Sequence, residues 1–521
     1  MRGAVAAGHP LTAEAGAQVL REGGNAVDAC IAAGVMSWVA ESPLTGPGAG
    51  GFMLVHRARD RSDRLLDFFV EVPGRGLGRH RTSEMEEVDV EFDRDAAQVF
   101  RIGAASCAVP GAAIGLETAH RVFGTRPWKT LFEPAIRTAR EGFELNRAQA
   151  YLHAIIDVIL RHTEEGRAIY GPAGQRLVAG DRIVMPDLAG TLELLSKRGA
   201  KALYRGELGR RIARHVRSGG GELTTDDLAA YRVVWRRPLR APFHGHEFVT
   251  NPPPSSGGVL VAYGLKLLDR FALARKPGSA EAIAQLAEVM REQNRIRGGR
   301  FVSDLHRGGL AGRLLSEESV GAAAARIASA TAGSTEPAGI SGTTHISVVD
   351  ARGNAASLTA SNGSGSGVIV PGTGIQLNNM LGEVDLNPSG RRSRPGRRLT
   401  SMMAPSLVLR GGSPRLVVGS AGSVRLRGAI LQVVVNVVGH GLGVDEAIDR
   451  PRVHLEEPHV HCEGGHDPAE LDRLAERGYD LVRWRRRNLF FGGVSAVEFR
   501  ADGALAAAGD PRRGGDGVVV E

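Results

Sequence analysis

The stretch Gly342-Thr343-Thr344-His345-Ile346-Ser347-Val348-Val349-Asp350 decides how this 521-residue chain is read. From Thr344 to Val349 β-branched and apolar residues dominate, which predicts a strand. Asp350-Ala351-Arg352-Gly353-Asn354 predicts a turn, and Ala355 to Thr359 a returning strand. In front of the stretch, residues 317 to 341 are rich in Ala, Ser, Gly and Thr and predict an exposed linker. A threonine where a linker meets a strand has two uses. Its hydroxyl can attack the Gly342 carbonyl carbon, giving an N-to-O acyl shift and then an ester that water hydrolyses. The small residue at 342 leaves that carbonyl accessible. The cut frees an α-amine on Thr343, which can act as base for the hydroxyl of the same residue. An α-amino group titrates near ~8, which suits that work. Taken alone, Gly-Thr-Thr is a common tripeptide and carries little weight.

Working outward, Thr12 to Leu20 predicts a short helix with Thr12 as its N-cap and Gly23-Gly24 as its stop. Ala26 to Val39 predicts a longer, Ala-rich, buried helix. Gly46-Pro47-Gly48-Ala49-Gly50-Gly51 is a loop leading into a strand at Phe52 to Val55, with Leu65 to Val70 as its hairpin partner. Pro110 to Arg300 reads as mainly helical. Pro252-Pro253-Pro254-Ser255-Ser256-Gly257-Gly258 interrupts it as a rigid extended loop before a helix starting near Val259. Further on, Leu416 to Val418 and Val494 to Phe499 predict strands. Ala429 to Val438 predicts a helix, and another opens at Asp445-Glu446-Ala447-Ile448. There is no internal repeat. The whole is a mixed α/β chain with a cut point near two-thirds of its length, giving a large fragment 1–342 and a small one 343–521.

Hydrophobic residues make up 42% of the chain, enough for a sizeable core and too many for wholesale disorder. The formal net charge is +8, mostly from arginine. Its densest groups are Arg391, Arg392, Arg394, Arg397 and Arg398, then Arg483, Arg485, Arg486 and Arg487. No aromatic residues interleave them as a base-stacking surface requires, so they read as solvated loops and no nucleic-acid partner is expected. Cys30, Cys107 and Cys462 fit no metal spacing and predict free thiols, with Cys30 a small core residue. No metal and no cofactor is expected. No signal peptide and no apolar run of membrane-spanning length is visible, which predicts a cytoplasmic protein without membrane contact. A mis-assigned start would make it periplasmic or secreted instead.

The context of Thr343 raises its weight. The chain resembles the γ-glutamyltranspeptidase (γ-glutamyltransferase, glutathione hydrolase) family of the N-terminal-nucleophile hydrolase superfamily, from end to end. The resemblance is carried, in order, by Glu22-Gly23-Gly24-Asn25-Ala26-Val27-Asp28-Ala29, Gly50-Gly51-Phe52-Met53-Leu54, Thr225-Asp226-Asp227-Leu228-Ala229-Ala230-Tyr231 and Pro252 to Gly258. It continues through Thr343 to Asp350 with Gly353-Asn354, Leu377-Asn378-Asn379-Met380, Leu399-Thr400-Ser401-Met402 and Gly419-Ser420-Ala421-Gly422.

The resemblance implies a four-layer αββα sandwich built from both fragments of a self-cleaved precursor. It implies cleavage between Gly342 and Thr343, then acyl transfer. Thr343 attacks a small-molecule amide, a γ-glutamyl compound or an analogue, and water or an amine acceptor releases the acyl group. It implies an oxyanion hole from the backbone N–H groups of Gly422 and Ser423, with Ser361 hydrogen-bonding the nucleophile. It further implies Asn362 in substrate binding, Glu383 on the substrate α-amino group, and Thr400 and Ser401 on its α-carboxylate. Plainer readings stand beside these: a turn glycine at 422, a flexible Gly/Ser loop at 361–367, a surface carboxylate at 383 and turn capping at 400–401.

One position departs from the pattern. Family members that cleave glutathione carry an arginine after Asp-Phe in the second strand, where it clamps the substrate α-carboxylate. This chain reads Asp67-Phe68-Phe69-Val70, with Phe69 in the arginine's place. A phenyl ring makes none of a guanidinium's charge-assisted hydrogen bonds. Arg397 or Arg398 is the nearest candidate replacement in sequence. Two alternatives remain open: an amidohydrolase or acylase for non-γ-glutamyl amides, and an uncleaved, inactive relative acting as a binding protein.

Overall fold

The computed structural model describes residues 2–78, 84–93, 96–329, 342–383, 394–500 and 502–521, with the side chains of 91–93, 96–98 and 329 excepted. Two antiparallel sheets dominate it. The first runs Asp516–Val520, Gly3–Ala7, Thr344–Asp350, Ala355–Ser361, Gly50–Arg57, Ser62–Phe68 and Val234–Arg236. The second runs Leu505–Gly509, Gly493–Phe499, Ser413–Ala421, Ser406–Arg410, His246–Thr250 and Leu239–Phe243. Each sheet takes strands from both sides of residue 343.

Alternation along the strands builds the layers, because successive side chains point to opposite faces. Phe52 and Leu54 join a core between the sheets, whereas Met53 and Val55 join a core on the outer face of the first. In the second sheet Val417 faces inward, and Leu416 and Val418 face outward. The outer face of the first sheet is covered by helices Pro10–Arg21 and Ala26–Ala40, and that of the second by Ser256–Leu268 and Arg425–Val434. Three apolar seams between four layers give the expected αββα sandwich.

Helix Ala26–Ala40 is buried on every side, as an all-round apolar helix must be. It starts in a capping box of Asn25 and Asp28. The strand turn also serves that start. One Asp350 oxygen accepts from Arg352 N and Asn354 N, and the other accepts from Ala26 N at 3.1 Å. All three cysteines are buried and free. No helix among the described residues is long and apolar enough to cross a membrane.

Four sequence expectations need correction. The first helix starts at Pro10 with His9 as its N-cap. Thr12 lies inside that helix and donates instead to Glu41 Oε1 at 2.8 Å. The region 110–300 carries three strands between Val234 and Thr250, two of which form the edge of the second sheet. The helix expected near Val259 begins at Ser256. Glu317–Ser329, taken as the start of the linker, is a helix that buries Val320 and Ala323. The rest of the linker, 330–341, and Arg391 and Arg392 lie outside the described residues.

Candidate active site

Thr343 stands at the mouth of the strand that pairs with Gly3–Ala7 and Ala355–Ser361. It is 3% exposed. Its Oγ1 lies 3.4 Å from Ser361 Oγ, at the end of the neighbouring strand. Ser361 Oγ accepts from Gly363 N at 2.8 Å and donates to the carbonyl of Gly342. This relay polarises the bond that sequence marks for cutting. Gly342 itself is required by space, since a methyl there would meet the Gly363 carbonyl at 2.6 Å.

Alternation separates the two neighbouring threonines. Thr344 donates to Glu41 Oε2 at 2.5 Å, on the helix side of the sheet. His345 lies between the sheets, its Nδ1 2.7 Å from Thr359 Oγ1 and its Nε2 3.0 Å from Ser347 Oγ. Burial pushes its pKa down to about 3, so it stays neutral and structural. Among the described residues no imidazole is hydrogen-bonded to Thr343.

In front of Thr343 opens a cleft of about 340 Å³. Ser361, Glu383, Ser401 and Ser423 supply its polar lining, and Phe69, Met380, Met402, Met403 and Leu426 its apolar lining. Glu383 is the one charged residue on it among the described residues. One oxygen of Glu383 accepts from Ser364 N at 3.0 Å. Gly422 has φ +121° and Ser423 φ +53°. Two left-handed residues in a row turn the chain sharply from strand Ser413–Ala421 into helix Arg425–Val434. For Ser423 that conformation costs of order 1–3 kcal/mol, a strain that clusters at functional sites.

The triple-proline loop braces the far wall. Ser255 Oγ donates to the carbonyls of Ser401 (3.0 Å) and Met403 (2.9 Å), and Ser256 N to Ser401 O (2.7 Å). Gly257 packs so closely that a methyl there would sit 1.8 Å from Met402 O. Ser401 Oγ accepts from Met403 N at 3.0 Å, so it caps its own turn while facing the cleft.

The other residues singled out in the sequence lie elsewhere. Thr400 is buried outside the cleft lining. Asn362 is fully buried, and neither side-chain polar atom has a partner among the described residues. Arg398 is no substitute clamp. Its guanidinium binds the carbonyls of Phe69 and Arg232 and the Tyr231 hydroxyl, and lies 3.5 Å from both Asp67 and Glu71. Arg397 is exposed and away from the lining. The backbone of Phe69 is thereby fixed, its carbonyl also accepting from Tyr231 Oη at 2.6 Å, and its ring stacks on Phe52 at 5.5 Å.

Sequence reasoning missed Glu41 and Arg513. They line a second cavity of about 240 Å³ behind Thr343, with Gly8, Thr344 and Gly493. Burial raises the Glu41 pKa to about 7, against the hydrogen bonds from Thr344 and Thr12. A carboxylate directly after a long apolar run, Ala29 to Ala40, was the available signal. No cluster of three His, Cys, Asp or Glu among the described residues could hold a metal.

The sequence model of the family described as Gamma-glutamyltranspeptidase matches residues 12–520. The chain belongs to that family. The acylase ACY 1 proenzyme of Pseudomonas sp. (strain V22) is 34% identical, covering 100% of this chain and 94% of the relative. The glutathione hydrolase proenzyme of Escherichia coli (strain K12) is 30% identical, covering 98% and 90%. The crystal structure of the cephalosporin acylase from Bacillus halodurans superposes with a TM-score of 0.86 at 25% identity, covering 100% of this chain and 96% of that one. This γ-glutamyltranspeptidase family member is an enzyme of the N-terminal-nucleophile hydrolase class, with acylases as well as glutathione hydrolases among its relatives.

Proposed function

We propose that the chain cuts itself between Gly342 and Thr343 and then uses Thr343 to transfer an acyl group that carries no α-carboxylate. The observation behind this reading is Phe69, fixed at the cleft with its nearest buried arginine, Arg398, tied up behind it. In the cut, Thr343 Oγ1 attacks the Gly342 carbonyl polarised by Ser361. In turnover, Oγ1 bonds to the substrate carbonyl carbon while the hydroxyl proton passes to the α-amine of Thr343. The carbonyl oxygen takes up negative charge facing the backbone N–H groups of Gly422 and Ser423. The C–N bond then breaks, the α-amine returns the proton to the leaving amine, and water or another amine releases the acyl group.

The acyl chain would pack on Phe69, Met380, Met402, Met403 and Leu426, with Glu383 facing any amino group it carries. Apolar contact of this kind discriminates by only ~1–3 kcal/mol per methylene, so a range of apolar acyl groups would be accepted. The name of the Pseudomonas relative favours an acylase. That of the Escherichia coli relative keeps γ-glutamyl amides as the second reading.

Intact mass of the purified protein tests the first step, with two fragments meeting at 342/343 expected. Hexanoyl and γ-glutamyl p-nitroanilides test the second. The hexanoyl compound should have the higher kcat/KM, and a clear preference for the γ-glutamyl one would defeat the proposed selectivity.

A further inference from the structure

Arg512 and Arg513 are neighbours in sequence with different surroundings. Arg512 is saturated: it pairs with Glu463 and with Asp510 at 3.1 Å, and donates to the carbonyls of Ile448 and Arg450. Arg513 turns the other way, into the cavity it shares with Thr343. Its Nε is enclosed and has no hydrogen-bond partner among the described residues. Its stem lies on Gly493, where a methyl would come within 2.4 Å of Cδ. Its guanidinium reaches under the strand-to-helix turn, so that a methyl on Gly422 would come within 3.6 Å of Nη2. Glu41 lines the same cavity, held from the helix side by Thr344 and Thr12. The guanidinium thus lies beneath Gly422 and the Glu41 carboxyl toward the outer helices.

We propose that Arg513 is a positioning cation for acyl transfer, holding positive potential behind Gly422 where the substrate carbonyl oxygen becomes an oxyanion. The proposal rests on the reading that Gly422 and Ser423 receive that oxyanion. Arg513 acts through the peptide groups of the turn and does not touch substrate. In a low-dielectric interior a fixed charge a few ångströms behind a hydrogen-bond donor strengthens it without reorganisation. Self-cutting uses another oxygen, that of Gly342, which is held by Ser361 on the far side of Thr343. Arg513 therefore serves turnover and leaves the cut to Ser361.

The full chain is compared with Arg513→Gln and Arg513→Lys, with fragment masses and hexanoyl p-nitroanilide kinetics as readouts. Arg513→Gln is expected to cut into the same fragments, lose about 10–100-fold in kcat and keep KM within about threefold. Arg513→Lys, which keeps the charge, is expected to return kcat to within about fivefold of the parent. A neutral variant whose kcat stays within about twofold would overturn the proposal. So would an uncut neutral variant, or a lysine variant as slow as the glutamine one. If the glutamine variant fails to fold, Arg513→Met takes its place. Failure of both beside a sound lysine variant would make the cation structural and overturn the proposal as well. A parent protein that neither cuts nor turns over substrate would instead defeat the proposed function.

Discussion

Two cavities meet at Thr343 and differ in what lines them. The front cleft, about 340 Å³, presents one aromatic ring, three methionines, a leucine and the single carboxylate of Glu383. The rear cavity, about 240 Å³, presents Glu41, Asp510 and Arg513 with the hydroxyl of Thr344. Only the depth of a strand end separates them. A front of this kind can choose among acyl groups by shape and desolvation and has little with which to bind charge. The rear is smaller and places the Arg513 guanidinium where an oxyanion would feel it. Changes in front should alter which amide is taken, and changes behind should alter rate or stability. Thr343 belongs to both.

The largest expected effect removes the shared point. Thr343→Ala should leave a single uncut chain and lower amide turnover by at least ~10⁴-fold. Fragments of normal mass in that variant would end the comparison altogether. Ser361→Ala should come next. It removes the hydroxyl that polarises the Gly342 carbonyl, and the rate of fragment appearance, followed by mass over time, should fall ~10²–10³-fold.

Phe69→Arg sharpens the front. It should raise the ratio of kcat/KM for γ-glutamyl over hexanoyl p-nitroanilide by ~10-fold or more, about 1.4 kcal/mol. Phe69→Leu should leave that ratio within about threefold, and equal behaviour of the two variants would show that the ring does not choose the acyl group.

The smallest effect is a pH dependence at the rear. Glu41 has a folded pKa raised to about 7 from an ordinary 4.5. Between those values the folded protein keeps a proton that the unfolded chain has released. Stability from this group is therefore full below about pH 4.5 and is lost as pH rises through 7, by ~3 kcal/mol at most. Glu41→Gln should lack that loss, so its denaturation midpoint should gain on the parent's between pH 5 and pH 8. Parallel curves for the two proteins would mean the rear is as wet as the front.

Much of this was legible in the sequence, and the reasons differ by residue. Thr343 was legible where a linker meets a strand, whereas the roles of Ser361 and Gly422 came from the family resemblance. The strand ends that carry Thr343 and Ser361 pair directly. Phe69 was legible as a departure because the resembled family carries an arginine just after Asp-Phe. The role of Arg398 was not, because its partners Tyr231, Arg232 and Asp67 lie far off in sequence. Thr400 sits next to Ser401 but outside the cleft lining, since neighbours on an extended chain point opposite ways. The strands between Val234 and Thr250 were hidden because they are short and carry arginine and histidine on solvent-facing positions at the sheet edges. Arg513 could not be told from Arg512 until the fold pointed one at Glu463 and the other at Thr343.

The interleaving of the two sheets has a consequence for how such a protein lives and dies. Strands Gly3–Ala7 and Gly50–Arg57 flank the pair Thr344–Asp350 and Ala355–Ser361 on either side. Before the cut, unfolding and refolding concern one molecule and do not depend on concentration. After it, the same native contacts join two separate chains, and refolding becomes a second-order meeting that dilution defeats. The self-cut would thus work as a ratchet: the shape is reached while the chain is whole, and once lost afterwards it is not readily regained.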